Sequence, residues 1–375
     1  MVAAVHVSPP VLPGRESGKM LAAYVTEWCA VGTVPEKISF GEVSVPPMPK
    51  KSEILIGVKA ASINVDDCPL LQNTAAGGWF YHTRKPSVAN PLIGGMDYAG
   101  VVLACGPDVK QLKVGDRVCG IMKVAEYQGG TWAEQAIAPE KDVCPIEDDG
   151  ISFVDAAAVT MGAFVCSDME KHAAKALSGG GCRCLVLGAS GALGTVMLQL
   201  LRKRKAHVTA VCSATNAETA RKMGADEAVD YAAGPLAQQL AAAEKFGIVF
   251  DFVGGRGLER DAAAVLEPGG LYVTAVGDRQ YVGDRQLSFG EFSKSVRYML
   301  GKSCCGCGAK YRYVMSGAYP PLTSKVWKPA VVEAGARAAI AEEVPFAEAP
   351  LRQALQRVAS HHPGGRVVIN LERRE

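Results

Sequence analysis

The chain has 375 residues, 49% of them hydrophobic and 21% charged, with a formal net charge of +2. That length and balance describe two folded domains and exclude a disordered chain. A net charge so close to zero gives no grip on nucleic acid or an acidic membrane surface, and no apolar run approaches the roughly 18 residues of a membrane span, so integral membrane contact is not expected. Twelve cysteines raise the question of a disulfide framework, which belongs to short secreted chains. Here no basic segment followed by an apolar core opens the sequence, and Cys184 and others sit inside apolar strand-like runs. They read as reduced, buried thiols of an intracellular protein. The compartment expected is the cytoplasm, with the mitochondrion as the alternative. Residues 1–19 read as a flexible extension, with only Arg15 and Lys19 as cationic side chains.

From Leu21 to about Asp148 the texture is β. Segments 54–60 and 99–104 read as buried strands, and 114–118 as a turn entering a third. The stretch 72–90, with Gly77, Gly78 and Pro86, reads as a long functional or mobile loop. From about Gly150 strands and helices alternate. Strands are expected at 183–187, 208–212, 227–231, 248–253 and 271–276. Helices are expected at 195–204, 217–223 (ended by Gly224), 236–245 and 258–266 (stopped by Pro268). Strands separated by helices imply right-handed βαβ units and a parallel sheet, an α/β fold. A helix at 349–360 and a strand at 367–371 close the chain. Segments 276–280 and 282–286 both read Val-Gly-Asp-Arg-Gln, a duplicated surface loop or, since it lies just beyond a strand end where cofactors bind, a segment that in part lines the cleft. Cys304, Cys305 and Cys307 read as packed thiols in a loop, and His361-His362 as surface or cofactor-edge residues.

The run Gly188-Ala189-Ser190-Gly191-Ala192-Leu193-Gly194 joins the strand at 183–187 to a helix. One glycine permits the tight turn, another lets backbone approach a pyrophosphate, and a third lets helix and strand pack closely. The helix N-terminus then offers free N–H groups to phosphates. With a strand before, a helix after and a second strand beyond, the pattern points to a dinucleotide site. Ser213 lies 22 positions past Gly191, where a site for NADH usually places an acid on the adenosine ribose. A carboxylate repels a 2′-phosphate and a hydroxyl donates to it, so NADPH is the expected cofactor, although no Lys or Arg follows within a few positions. Tyr231 stands where it either packs on the adenine side or belongs to the core.

Several further segments complete a pattern: Ala61-Ser62-Ile63-Asn64-Val65-Asp66-Asp67, Gly95-Met96-Asp97-Tyr98-Ala99-Gly100, Val114-Gly115-Asp116-Arg117-Val118, Gly130-Thr131-Trp132-Ala133-Glu134, Lys222-Met223-Gly224-Ala225-Asp226 and Gly365-Arg366-Val367-Val368-Ile369. In this order and spacing the chain resembles the medium-chain dehydrogenase/reductase superfamily, in its zinc-free quinone oxidoreductase branch, from about Met20 to Leu371. The resemblance implies a GroES-like β domain, residues 20–149 completed by 326–375, around a Rossmann NADP-binding domain, residues 150–325, with the active site in the cleft. It also implies that Ser190, Gly191, Ala192, Leu193, Gly194, Ser213, Tyr231, Gly365 and Arg366 meet the cofactor. The strand near Tyr311 to Met315 is placed to pair across a homodimer.

Alcohol-oxidising members of that superfamily hold a catalytic zinc through a cysteine and a histidine. The matching positions here are Asn64 and Met96, which do not supply those ligands, so no metal is expected. Without one, an alcohol is hard to acidify and carbonyl reduction is the easier task. The resemblance therefore implies hydride transfer from NADPH to a quinone or α,β-unsaturated carbonyl, the hard chemistry being the cofactor's. Asn64 would hydrogen-bond the substrate oxygen and Asp67 would orient that segment, with the proton drawn from water. The Thr-Ala pair that meets the nicotinamide carboxamide reads Gly162-Ala163. Two alternatives stay open: a cofactor-binding scaffold or regulatory protein with little turnover, and an enoyl-thioester reductase.

Overall fold

The structure, a computed structural model, describes residues 18–74, 85–122, 129–280, 285, 287–305, 310–314, 324–361 and 363–373. The extension up to residue 17, residues 75–84 of the long loop, Cys307, His362 and most of the second Val-Gly-Asp-Arg-Gln copy lie outside the described residues.

The first part of the chain contributes β1 (Lys19–Val25), β2 (Ser39–Ser44), β3 (Glu53–Ile63), β4 (Leu92–Ile93), β5 (Asp97–Cys105), β6 (Arg117–Ile121), β7 (Gln135–Pro139) and β8 (Val143–Pro145). A parallel set follows: β9 (Arg183–Leu187), β10 (His207–Cys212), β11 (Glu227–Asp230), β12 (Phe246–Asp251), β13 (Leu266–Thr274) and β14 (Lys310–Tyr313). Two more strands close the chain, β15 (Ile340–Pro345) and β16 (Arg366–Asn370). β1 pairs antiparallel with β2 and β4. A larger sheet runs β15-β16-β3-β5-β6-β8, with β7 also on β3. Within it β16 lies antiparallel to β3, Val367 opposite Ile63, so the last strands complete a sheet begun by the first ones.

The parallel sheet has the order β11-β10-β9-β12-β13-β14. This is the doubly wound order, in which the winding reverses between β9 and β12 and leaves a crevice at the carboxyl ends of those strands. β9 is buried from Cys184 to Leu187 without alternation, as a strand covered on both faces must be. The chain thus combines a GroES-like β domain with a Rossmann sheet.

Some elements differ from the sequence expectation. The helix expected at 236–245 is one turn, Leu236–Gln239. Only Leu236 and Leu240 of that stretch are buried, too little apolar surface to hold further turns. β13 begins at Leu266 and passes through Pro268-Gly269-Gly270, because its register against β12 shifts between Phe246 and Ile248 and takes up the extra residues. Cys304 and Cys305 close the helix Phe289–Cys305 rather than sitting in a loop. That helix, β15 and the 25-residue helix Phe153–Leu177 were not expected. The last of these is buried continuously from Ala156 to Cys166, so its first half carries no polar face from which a helical period is read, and only its last turns bury one side, at Met169, Ala173 and Leu177. Its start is legible only in its cap, where Ser152 Oγ accepts the Asp155 N–H at 3.0 Å.

Trp132 positions the strand that leads to Asp97. Its ring lies flat on two glycines: a Cβ on Gly94 would stand 2.3 Å from Cε3 and one on Gly95 2.3 Å from Cδ1. Gly95 also has φ +90°, which disfavours any side chain. The indole Nε1 donates to Ser62 O at 3.3 Å. Gly94→Ala should therefore lower the unfolding free energy by about 1–3 kcal/mol, the range for overpacked cores. Gly257→Ala, in the helix Arg256–Ala264 with nothing within 4 Å of the added carbon, should be neutral or stabilising by up to about 1 kcal/mol. Urea unfolding of both variants checks the contrast.

Candidate active site

The glycine turn lies at the carboxyl end of β9. Gly188 and Ala189 donate to Val211 O at 3.2 and 3.1 Å, and Gly191 to Gly188 O at 3.1 Å. Gly188 has φ +74°, and a Cβ there would stand 2.9 Å from Val253 Cγ2. A Cβ on Gly194 would stand 2.3 Å from Gly188 O, so the helix Gly194–Lys203 starts as close to the strand as backbone allows. The N–H groups of half-buried Ala192 and Leu193 and of buried Gly194, at the start of the first helical turn, have no backbone acceptor among the described residues. These are the orphan donors of a helix start, and they fit a phosphate. Asp251, at the end of β12, fixes the opposite wall by accepting the Val253 and Gly254 N–H groups at 2.9 Å each and Tyr272 OH at 2.9 Å.

The second part of the site is a buried polar network. Arg366 donates through all three guanidinium nitrogens: Nε to Ala158 O at 3.2 Å, one Nη to Asn64 Oδ1 at 2.6 Å and the other to Asp97 Oδ2 at 2.7 Å. Ser62 Oγ contacts the same Asp97 oxygen at 3.1 Å and Ala157 O at 2.9 Å. The Asn64 backbone N–H donates to Asp67 Oδ2 at 2.7 Å. Three atoms here have no hydrogen-bond partner among the described residues: Asn64 Nδ2, Asp67 Oδ1 and Asp97 Oδ1. Such buried orphans call for a functional explanation. Burial raises the Asp97 carboxyl, with Arg366, the neighbouring Asn64 amide and Ser62 pulling the other way. Burial raises the Asp67 carboxyl well above the ordinary carboxylate range, and the Asp97 and Asp66 charges add to it.

One helix joins the two parts. Along Phe153–Leu177, Ala158, Gly162 and Cys166 recur four residues apart and share a face. Ala158 O accepts from Arg366. A Cβ on Gly162 would stand 2.7 Å from Val196 Cγ2 and 3.6 Å from Ala192 O. Cys166 Sγ lies 3.2 Å from Leu193 O. At 1.5 Å per residue, the polar network and the glycine turn are thus about 12 Å apart along that face. The glycine at 162 has a packing reason: it lets this helix meet the one that follows the turn.

The other sequence-derived residues fall as follows. Ser213 follows β10 directly and is half-buried, its Oγ 3.0 Å from Thr215 Oγ1. Tyr231 is 53% exposed at the end of β11, so the core alternative does not hold. Gly365 has φ +148°, and a Cβ there would stand 2.6 Å from Ala339 O; Ala339 N in turn donates to Thr195 Oγ1 at 3.4 Å, beside the turn. Arg366 is brought to Asn64 and Asp97 rather than left open at the turn. Asp278, in the first copy of the repeat, is buried and paired with Arg256 at 2.7 Å, which corrects the surface-loop expectation for that copy. It lines a cavity of about 510 Å³ with Gly255, Leu258, Arg279, Gln280 and Arg285.

Sequence reasoning gave no role to Ser62, Asp97, Thr215 or Arg221. Asp97 was visible beside Met96 in its motif. Arg221 sits nine positions past Cys212, yet its charge reaches the Cys212 thiol, whose burial and Asp230 neighbour it opposes. At the zinc positions the donor set does not fit a metal: Asn64 Oδ1 is held by Arg366, and Met96 is a buried thioether.

Comparison with known proteins accords with this geometry. The alcohol dehydrogenase GroES-like domain model matches residues 50–148 and the zinc-binding dehydrogenase model residues 192–301. The chain is 32% identical over 340 residues to NAD(P)H oxidoreductase RTN4IP1, mitochondrial, of Mus musculus, covering 85% of this chain and 82% of that protein. It is 30% identical over 213 residues to the quinone-oxidoreductase homolog, chloroplastic, of Spinacia oleracea, covering 56% of this chain and 61% of that protein. The solved quinone oxidoreductase from Coxiella burnetii has the same fold, with TM-score 0.74 at 19% identity over 94% of this chain and 99% of that one. The chain belongs to the medium-chain dehydrogenase/reductase superfamily.

Removing one partner of the buried pair should be costly. Arg366→Ala strands the Asp97 carboxylate and should destabilise by about 3–5 kcal/mol. Replacing both Arg366 and Asp97 by leucine should cost less than the two single losses together. A urea double-mutant cycle gives the comparison.

Proposed function

We propose that the protein is a zinc-independent, NADPH-dependent oxidoreductase that reduces a quinone or an α,β-unsaturated carbonyl. The observation that carries this reading is the placement of a phosphate-ready glycine turn and an unpartnered Asn64 amide along one face of one helix. NADPH, when bound, supplies the hydride. The Ala192, Leu193 and Gly194 N–H groups would hold the pyrophosphate, with Ser190 and Gly191 lining its approach. Ser213, beside Thr215 and within the field of Arg221, takes the 2′-phosphate; Tyr231 covers the adenine side, and Gly365-Arg366 border the turn. Arg366 keeps Asn64 Oδ1 occupied, which leaves the NH₂ end of the amide to donate to the substrate oxygen. The floor of the site is buried, so a hydrogen bond made there is stronger than in water.

The sheet membership of β15 and β16 supports a division into a cofactor-binding domain, 150–325, set within a GroES-like domain of residues 20–149 and 326–375. A second copy would pair along the edge strand β14. The names of the RTN4IP1 relatives favour the mitochondrion over the cytoplasm; subcellular fractionation with the protein only in the cytosol would reverse that choice.

Stopped-flow NADPH oxidation against a panel of quinones, enones and an acyl-CoA enone tests the activity. Turnover with quinone or enone is expected, and tight cofactor binding with no turnover on any of them would overturn it. Ser213→Asp should raise the NADPH Kd more than about tenfold while sparing NADH, since like charges brought together cost several kcal/mol. Fluorescence titration with both cofactors reads the difference.

A further inference from the structure

Hydride addition to a conjugated carbonyl leaves an enolate, and the reduction is complete only when a proton arrives. Two carboxyl groups are buried at the Asn64 end of the site, Asp67 (1% exposed) and Asp97 (0%). One guanidinium is buried with them, and Asp97 has it: Arg366 pairs with Asp97 at 2.7 Å, and Ser62 Oγ adds a contact at 3.1 Å. Asp67 has neither. Among the described residues its Oδ2 accepts only the Asn64 backbone N–H, and its Oδ1, shut off from solvent, has no partner. Two interacting buried carboxyls with one cation do not both ionise; the better-donated one takes the charge and the other keeps a proton.

We propose that Asp67 is the acid of this site, holding the proton that follows the hydride and releasing it to the reduced substrate. The proposal rests on the reductase reading above and departs from the sequence expectation, which gave Asp67 an orienting role and took the proton from water. The groups that face Asp67 agree with it. Asp66 adjoins it in the chain, Asp97 and Arg366 face it from β5 and β16, and burial outweighs the single arginine. His361 acts on the neighbouring Asp66, and Asp66 in turn raises the Tyr313 hydroxyl, which burial raises most. In the step itself, hydride forms a C–H bond at the β-carbon and the C=C electrons move onto the carbonyl oxygen. The Asp67 O–H bond then breaks, its proton forms the α-carbon C–H bond, and the O–H electron pair stays on Asp67 as carboxylate. Water admitted when the product leaves reprotonates it before the next cycle. This division of labour, one carboxyl ionised and one neutral, is a recurring way to assign acid roles.

The test uses the full chain. Asp67→Asn keeps an acceptor for the Asn64 N–H and removes the proton. With saturating enone and NADPH its kcat should fall about 10²-fold, a usual share for general acid catalysis, with the NADPH Kd within twofold of wild type. Wild-type kcat should fall as pH rises through the ionisation of the acid; the variant should lose that dependence, and Asp67→Glu should regain part of the rate. An Asp67→Asn enzyme with the wild-type rate and pH profile would overturn the proposal. A second measurement does not need turnover or a folded Asn variant. In carbon-13 carboxyl NMR of aspartate-labelled protein at neutral pH, the resonance lost in Asp67→Glu should report a protonated carboxyl, and the one lost in Asp97→Glu an ionised one. An ionised Asp67 would sink the proposal even in an active enzyme. A protonated Asp67 in a chain that reduces no quinone or enone would instead remove the reductase reading and support the assignment of the proton.

Discussion

Burying a guanidinium and a carboxylate together strips several kcal/mol of hydration from each, and the pair survives only where further donors and acceptors complete it. Arg366 and Asp97 meet that condition with unusual economy of parts. The arginine comes from β16, the aspartate from β5, and the remaining contacts reach Asn64 at the end of β3 and Ala158 in the helix Phe153–Leu177. Four separate stretches of chain therefore have to arrive together before the charges are satisfied. The requirement explains why the last strands return to the first sheet: β16 must lie against β3 for the guanidinium to stand between Asn64 and Asp97. It also fixes which end of the Asn64 amide is committed and which is free.

The helix Phe153–Leu177 transmits this constraint to the parallel sheet. Its early carbonyls are held by Ser62 and Arg366, and two turns later its Gly162 and Cys166 lie against the glycine turn. A helix is stiff over that length, so the spacing between the polar floor and the phosphate-binding turn is set by pitch rather than by loop geometry. A larger residue at 162 would meet Val196 and push the two helices apart. The position read from the family pattern as a lost carboxamide contact is, in this fold, a close-packing site.

What was legible in the sequence follows from which signals are local. The turn Gly188–Gly194 was readable because each glycine answers a steric demand within a few residues, and β9 to β12 because their apolar runs are short and bounded. The buried helix was not, since a segment apolar on every side has no period, and β15 carries two glutamates that mask it. The floor of the site was half legible. Asn64 and Asp67 stood out by their motif, but Ser62, Asp97 and Arg366 are joined to them over separations of up to 302 residues, which no spacing rule records. Arg366 was assigned to the cofactor because its motif suggested it. Only the register of β16 on β3 reveals the carboxylate and the amide that claim its side chain.

The same register bears on how this chain can do without a metal. A divalent cation at the Asn64 and Met96 positions would polarise a carbonyl directly and would hold both nearby carboxyls ionised. Among the described residues the only buried cation is a monovalent guanidinium already matched by Asp97, so no net positive charge remains there to act on a substrate oxygen. What remains is an amide held by one end, a polarising group weaker than a metal and of fixed direction, together with a second carboxyl that has lost the competition for the cation. A site so composed is poorly equipped to ionise an alcohol. It is well equipped to receive electrons at a carbonyl and to hand over a proton, because in that direction the charge that develops is met by an N–H and then quenched. On the proposed reading, an amide and a thioether at the zinc positions and a preference for carbonyl reduction are one electrostatic arrangement.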